Sequence, residues 1–256
     1  MALIYLNYRT KVLGMHQNLT IILPDDASYF DPNQKARPLK TLMLLHGLSS
    51  DETTYLRYTS IERYANQYQL AIIMPRADHS GYANMVYGHS YFDYIIEVWN
   101  YAHQILPLSL KREDNFIAGH SMGGYGTLRF ALKKGSLFGK ACPMSAVFDA
   151  QQLINIDWHD FSGEAITGEN TNITGTDLDL YHLLNEAKRL DKEIPELLIM
   201  CGEEDELYLD NQRMIRYLDQ LGIKYQFESD TGSHDYAYWD KAIARVIEWC
   251  CTDKEA

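Results

Sequence analysis

The apolar and polar positions of the chain follow two regimes. Near the N-terminus they alternate. Ile4, Leu6 and Tyr8 fall on one side of an extended segment, which predicts a strand, and a second strand runs from about Asn18 to Leu23 and stops at Pro24. These two are placed to pair antiparallel. The stretch from Asp25 to Pro38 is polar and proline-bearing and predicts a loop.

Beyond Pro38 the alternation gives way to short continuous apolar runs, the pattern of strands buried on both faces. They are Thr41–Leu45, Leu70–Met74, Asn115–Ala118 and Leu197–Met200, with a shorter one at Tyr225–Phe227; Cys142 lies in or beside a further strand-like run. Between them, helical patterns cover about Thr54–Gln67, Phe92–Leu106, Met122–Lys133, Asp205–Leu221 and Tyr236–Cys250. Strand alternating with helix predicts βαβ units and a mostly parallel sheet flanked by helices. The expectation is one α/β domain spanning residues 1–256, with about eight strands. The gap from Ala150 to Lys192 breaks the rhythm after the sixth strand. It predicts a small insertion, residues 150–192, capping one end of the sheet, with Trp158, His159 and Phe161 as candidates to line a site.

Composition narrows the chemistry. The formal net charge of -12 argues against nucleic acid as a partner, because phosphate binding needs a basic surface, and against anionic membranes. No apolar run approaches a membrane span, and the N-terminus lacks a basic region followed by an apolar one. The four cysteines (Cys142, Cys201, Cys250 and Cys251) have neither zinc-finger nor thioredoxin spacing. A cytoplasmic, reduced protein is expected, and the sequons at Asn18 and Asn172 then carry no meaning. His79, His89 and His103 show no metal-ligand spacing, so no metal is expected.

In open α/β sheets, ligands bind beyond the carboxyl ends of the strands. The segments there are His46-Gly47-Leu48, Gly119-His120-Ser121-Met122-Gly123, Gly202-Glu203-Glu204-Asp205 and Gly232-Ser233-His234. The second is G-x-S-x-G between an apolar run and a helical pattern, the context of a nucleophile elbow. The tight turn demands small residues on either side of the serine, and Gly119 and Gly123 supply them. A serine hydroxyl needs a base, and that base a carboxylate to orient it. Of the downstream histidines, His159 and His182 fall in the insertion; only His234 follows the last strand. The acid belongs after the strand between them, where Asp205 competes with Glu203, Glu204, Glu206 and Asp210. An oxyanion hole needs two N–H donors, assigned to Met122, which follows the nucleophile, and to Leu48, in the loop after an earlier strand.

These segments resemble the bacterial tributyrin esterases, small intracellular members of the putative-esterase (esterase D-like) family of α/β-hydrolases. The likeness rests on Leu44–Leu48, Gly119–Gly126, Cys201–Asp205, Gly232–Asp235 and the closing Tyr238-Trp239-Asp240. The family also holds S-formylglutathione hydrolases, feruloyl esterases and mycolyltransferases. The resemblance places the family's acid on Asp205 and its oxyanion donors on Leu48 and Met122. It implies a serine carboxylesterase acting on short-chain acyl esters through an acyl-enzyme, without metal or organic cofactor. A thioester hydrolase, a carbohydrate acetyl or feruloyl esterase, an acyltransferase and a non-catalytic binding protein are the alternatives. Substrate pockets are expected from the insertion and from the loop after Pro75, including Tyr82. Small esterases of this group often associate, so a homo-oligomer fits the resemblance.

Overall fold

The computed structural model describes residues 1–25, 37–159 and 161–252. The loop expected over Asp25–Pro38 lies mostly outside them. Eight strands form one sheet: β1 (Ala2–Arg9), β2 (His16–Leu23), β3 (Lys40–Leu45), β4 (Leu70–Pro75), β5 (Asn115–His120), β6 (Lys140–Met144), β7 (Glu196–Gly202) and β8 (Gln226–Asp230). Their spatial order is β1-β2-β4-β3-β5-β6-β7-β8. β1 pairs antiparallel with β2, and β2 antiparallel with β4; every other pairing is parallel. The strands from β3 onward therefore point their carboxyl ends the same way.

The continuous apolar runs serve both faces because side chains alternate along a strand. Met43, Leu45, Ile73 and Ile117 join one core cluster, whereas Leu42, Leu44, Ile72 and Phe116 join the other. The first cluster is covered by α3 (Tyr91–Ile105), α4 (Met122–Lys133), α7 (Leu180–Arg189) and α8 (Tyr208–Leu221). The second is covered by α1 (Thr54–Tyr58), α2 (Ile61–Gln67) and α9 (Tyr236–Cys251). Two short helices, α5 (Ala150–Ile154) and α6 (Gly163–Thr167), lie between β6 and β7. Among the described residues no helix is long and apolar enough to cross a membrane.

Three local features of the fold have physical causes, the first of them a departure from the sequence reading. The helix expected over Thr54–Gln67 breaks at Thr59 and Ser60: the Thr59 hydroxyl accepts the Ile61 amide at 3.2 Å, and the Ser60 amide donates to Asp240 at 2.8 Å. β6 carries Pro143, which has no N–H to donate, and its ladder to β7 skips from Ala141 to Met144. The segment from Ala150 to Lys192 also contributes to the core, since α7 buries Leu180, Leu183, Leu184 and Ala187 in the first core cluster. Within that segment, the cleft described below is bordered by residues up to Trp158.

Candidate active site

The turn between β5 and α4 is closed by sterics. Ser121 sits at φ 56°, ψ -119°, a conformation that L residues rarely adopt, and its amide donates to the Met144 carbonyl at 3.0 Å. A Cβ on Gly119 would come within 2.6 Å of the Gly123 carbonyl oxygen, and one on Gly123 would strike the Leu45 carbonyl. Both glycines are therefore required for the turn to stand this close to β3. The result lifts the Ser121 hydroxyl to the carboxyl end of the sheet.

The histidine and the acid arrive on two turns that are stitched together. The Glu203 and Glu204 amides donate to the carbonyls of Asp230 and Gly232 at 3.0 and 3.1 Å. Asp205 lies in a turn ahead of α8, its carboxylate accepting the Leu207 amide at 2.8 Å. This turn explains why α8 starts at Tyr208 rather than at Asp205. On the other side, Asp235 caps α9 by accepting the amides of Ala237 and Tyr238 at 3.0 and 3.1 Å, which fixes His234 at the threshold of the helix.

The three side chains form one hydrogen-bonded row. His234 Nε2 is 3.0 Å from Ser121 Oγ, and His234 Nδ1 is 2.9 and 3.0 Å from the two oxygens of Asp205. Burial pushes the Asp205 carboxyl up, but the His234 hydrogen bond and charge, the Leu207 amide and the Ser145 hydroxyl outweigh it. The net effect holds the group below the ordinary aspartate value, so it stays ionised. The rival Asp210 is also buried but points elsewhere. Its carboxylate accepts the amides of Phe148 and Asp149 at 2.7 and 2.9 Å.

The row opens into a cleft of about 890 Å³. Its lining includes Gly47, Leu48 and Ser49 after β3, Val147, Leu153, Ile156 and Trp158 after β6, and Glu204, Leu207, Tyr236 and Trp239. Met122 opens α4, so its amide belongs to the first turn, whose N–H groups have no intrahelical acceptor. Leu48, on the loop after β3, lines the cleft. Of the four side chains expected in the pocket, Trp158 lines it and three do not. Tyr82 is fully buried with φ 52°, and its hydroxyl donates to the His46 carbonyl at 2.7 Å, beneath the Leu48 loop. Phe161 is buried and its ring neighbours His79, while exposed His159 packs edge-on against Trp158. Most of the real wall, including Val147, Leu153 and Leu207, consists of ordinary apolar residues that carry no distinguishing sequence signal.

Two further histidines support the site as neutral structural groups. His46 Nε2 accepts the Ala77 amide at 2.9 Å, while Nδ1 donates to the Gly47 carbonyl at 2.7 Å. His120 reaches the Tyr55 hydroxyl at 2.8 Å and fills the space beside Gly47. Burial lowers the pKa of both. In the unfolded chain they take up protons below about pH 6.5, whereas the folded forms resist doing so, so acid favours unfolding. Stability is expected to fall as the pH drops from about 7.5 to about 5.5, by up to about 1.4 kcal/mol per histidine per unit below 6.5. Urea midpoints at the two pH values check this; a flat profile contradicts it.

The model of the Putative esterase family matches residues 10–249. The chain belongs to this family. FphF of Staphylococcus aureus, a fluorophosphonate-binding serine hydrolase solved with substrate bound, is 62% identical to this esterase, with a TM-score of 0.97 and coverage of 98% of this chain and 99% of that one. The S-formylglutathione hydrolase FrmB of Staphylococcus aureus, as apoenzyme, is also 62% identical, with a TM-score of 0.91 and the same coverage. An acetyl esterase of Caldicellulosiruptor saccharolyticus is 29% identical over 260 residues, covering 97% of this chain and 98% of its own. The esterase has the α/β-hydrolase fold, and it is a carboxylic ester hydrolase of the serine type.

Proposed function

We propose that this esterase hydrolyses short-chain acyl esters through an acyl-enzyme on Ser121. The observation that carries the reading is the unbroken row Ser121–His234–Asp205 at the floor of an open cleft. Ser121 Oγ attacks the ester carbonyl as His234 Nε2 takes its proton. The Leu48 and Met122 amides stabilise the tetrahedral oxyanion. Asp205 holds the imidazole in the tautomer with the proton on Nδ1. The imidazolium then gives its proton to the departing alcohol, and water, activated by His234, releases the acid. The chain acts as one catalytic domain, with residues 147–158 as the wall of the cleft. The compartment is read as the cytoplasm, in keeping with four free cysteines, two of which (Cys142 and Cys250) keep their sulfurs 3.9 Å apart without a bond.

A fluorophosphonate probe tests the mechanism. It should label the native protein once, with the label on Ser121 by peptide mapping; labelling at another residue refutes the assignment. Acyl length is supported by the apolar wall of Leu153, Ile156 and Trp158 and by the acetyl esterase relative. For p-nitrophenyl esters, kcat/KM is expected to be highest for acetate or butyrate and at least about tenfold lower for decanoate, since a chain too long for its pocket forfeits transition-state binding. A maximum at decanoate counts against the short-chain reading. FrmB favours a second reading, hydrolysis of S-formylglutathione, which the same row can perform. Direct assay of that thioester beside an acetyl ester separates the two.

A further inference from the structure

Ser145 immediately follows β6 and has no part in the steps above. It is fully buried at φ 44°, in the left-handed region, and its amide donates to the Met200 carbonyl at 2.7 Å. A buried residue kept in that conformation places its side chain with little freedom. The Trp239 indole Nε1–H donates to Ser145 Oγ at 3.1 Å. That bond occupies a lone pair and leaves the hydroxyl proton to be placed. Its neighbours are the Asp205 carboxylate and the Cys201 thiol. Burial pushes the thiol up, so it stays neutral, and the ionised carboxylate is the stronger acceptor. The same indole meets the His234 ring edge-to-face, centroids 4.9 Å apart, and lies over His120 at 4.0 Å. One rigid ring thus touches the base directly and holds a hydroxyl that helps keep the Asp205 carboxyl ionised.

We propose that Ser145 and Trp239 are a positioning pair: the indole holds the Ser145 hydroxyl on Asp205 while bracing the imidazole of His234. The inference rests on the reading of Ser121, His234 and Asp205 as the reacting row. Neither residue touches the reacting atoms; each acts by holding a group that does. The Trp239–Ser145 bond fixes the indole against His234 as well as the hydroxyl, so removing either partner loosens the same constraint.

The test uses Ser145→Gly, Trp239→Phe and the double variant in the full chain. Glycine suits φ 44° and deletes only the hydroxyl, so the backbone is not strained by the change. Phenylalanine keeps a ring against His234 but has no N–H. Each single variant is expected to lose about tenfold in kcat for p-nitrophenyl acetate; KM should stay within about twofold in Ser145→Gly, which does not line the cleft, whereas Trp239→Phe changes a lining residue and shifts KM as well. Fluorophosphonate labelling of Ser121 should slow by a similar factor. The double variant should be no slower than the worse single one, since the two losses share one bond. Wild-type kcat in both single variants, a loss confined to KM, or losses that multiply in the double variant would overturn the proposal. Failure of the wild-type chain to label at all would instead overturn the reading beneath it.

Discussion

Ser121→Ala is expected to lower kcat by about six orders of magnitude, with the fold intact and KM little changed. The size follows from the role. Without Oγ there is no nucleophile for the acyl-enzyme, and what remains is the binding of the ester beside two amide donors. The fold should survive because serine and alanine both carry a Cβ, so the φ of 56° is no more strained after the change. The Ser121 amide and carbonyl keep their partners at Met144 and Tyr125, both 3.0 Å away. His234 loses its contact at Nε2 but is 22% exposed, so water can take the vacated place. The walls of the cleft, which set KM, are untouched. Hydrolysis of p-nitrophenyl acetate, normalised to folded protein by circular dichroism, is the measurement. A folded variant retaining more than about one per cent of wild-type kcat would mean that another group attacks the ester.

The proposed nucleophile, Ser121, is legible because its neighbourhood is a local steric problem. Gly119 and Gly123 are forced by backbone atoms two residues from the serine and by the neighbouring strand, and that requirement is written in five consecutive letters. His234 was legible for a similar reason, since it is the one histidine that follows the last strand. The proposed acid, Asp205, is different. Four carboxylates crowd residues 203–206, and what singles out Asp205 is the turn in which Glu203 and Glu204 pair with the His234 loop while Asp205 faces inward. That turn depends on contacts between β7 and β8, which no local pattern records; the family resemblance supplied what spacing left open.

The pocket was the least legible part. Tyr82 follows a strand and is aromatic, which suits a pocket residue, yet its hydroxyl finds the His46 carbonyl and the ring is drawn under the loop. A buried tyrosine needs a partner for that hydroxyl, and the partner lies 36 residues away. Trp239 and Ser145 show the same limit, since their bond joins positions 94 residues apart. The sheet itself was readable from buried apolar runs, and Pro143 shows where such a reading becomes local again: the strand forms, and its ladder to β7 skips the positions that include the proline.

Asp205→Asn is expected to lower kcat by about four orders of magnitude, a loss out of proportion to an exchange of one atom. The hydrogen-bond geometry explains why. Asp205 Oδ1 accepts the Leu207 amide at 2.8 Å, so an asparagine must keep its carbonyl oxygen there. Its NH2 group then occupies the place of Oδ2, which lies 2.9 Å from His234 Nδ1. A donor at that point disfavours a proton on Nδ1, although Oδ1 also lies 3.0 Å from it, and so shifts the imidazole proton toward Nε2. Nε2 would then donate to Ser121 Oγ instead of accepting from it, and the base becomes unable to take the proton that the attack releases. The variant should bind ester normally and fold normally, because the amide fills the volume of the carboxylate. Asp210→Asn is the control: that side chain accepts two backbone amides away from the row, so its kcat should stay within about threefold of wild type. Nitrogen-15 spectra of the His234 ring should show the proton change sides in Asp205→Asn alone. If Asp205→Asn keeps kcat within about tenfold of wild type, the tautomer is not what this carboxylate controls.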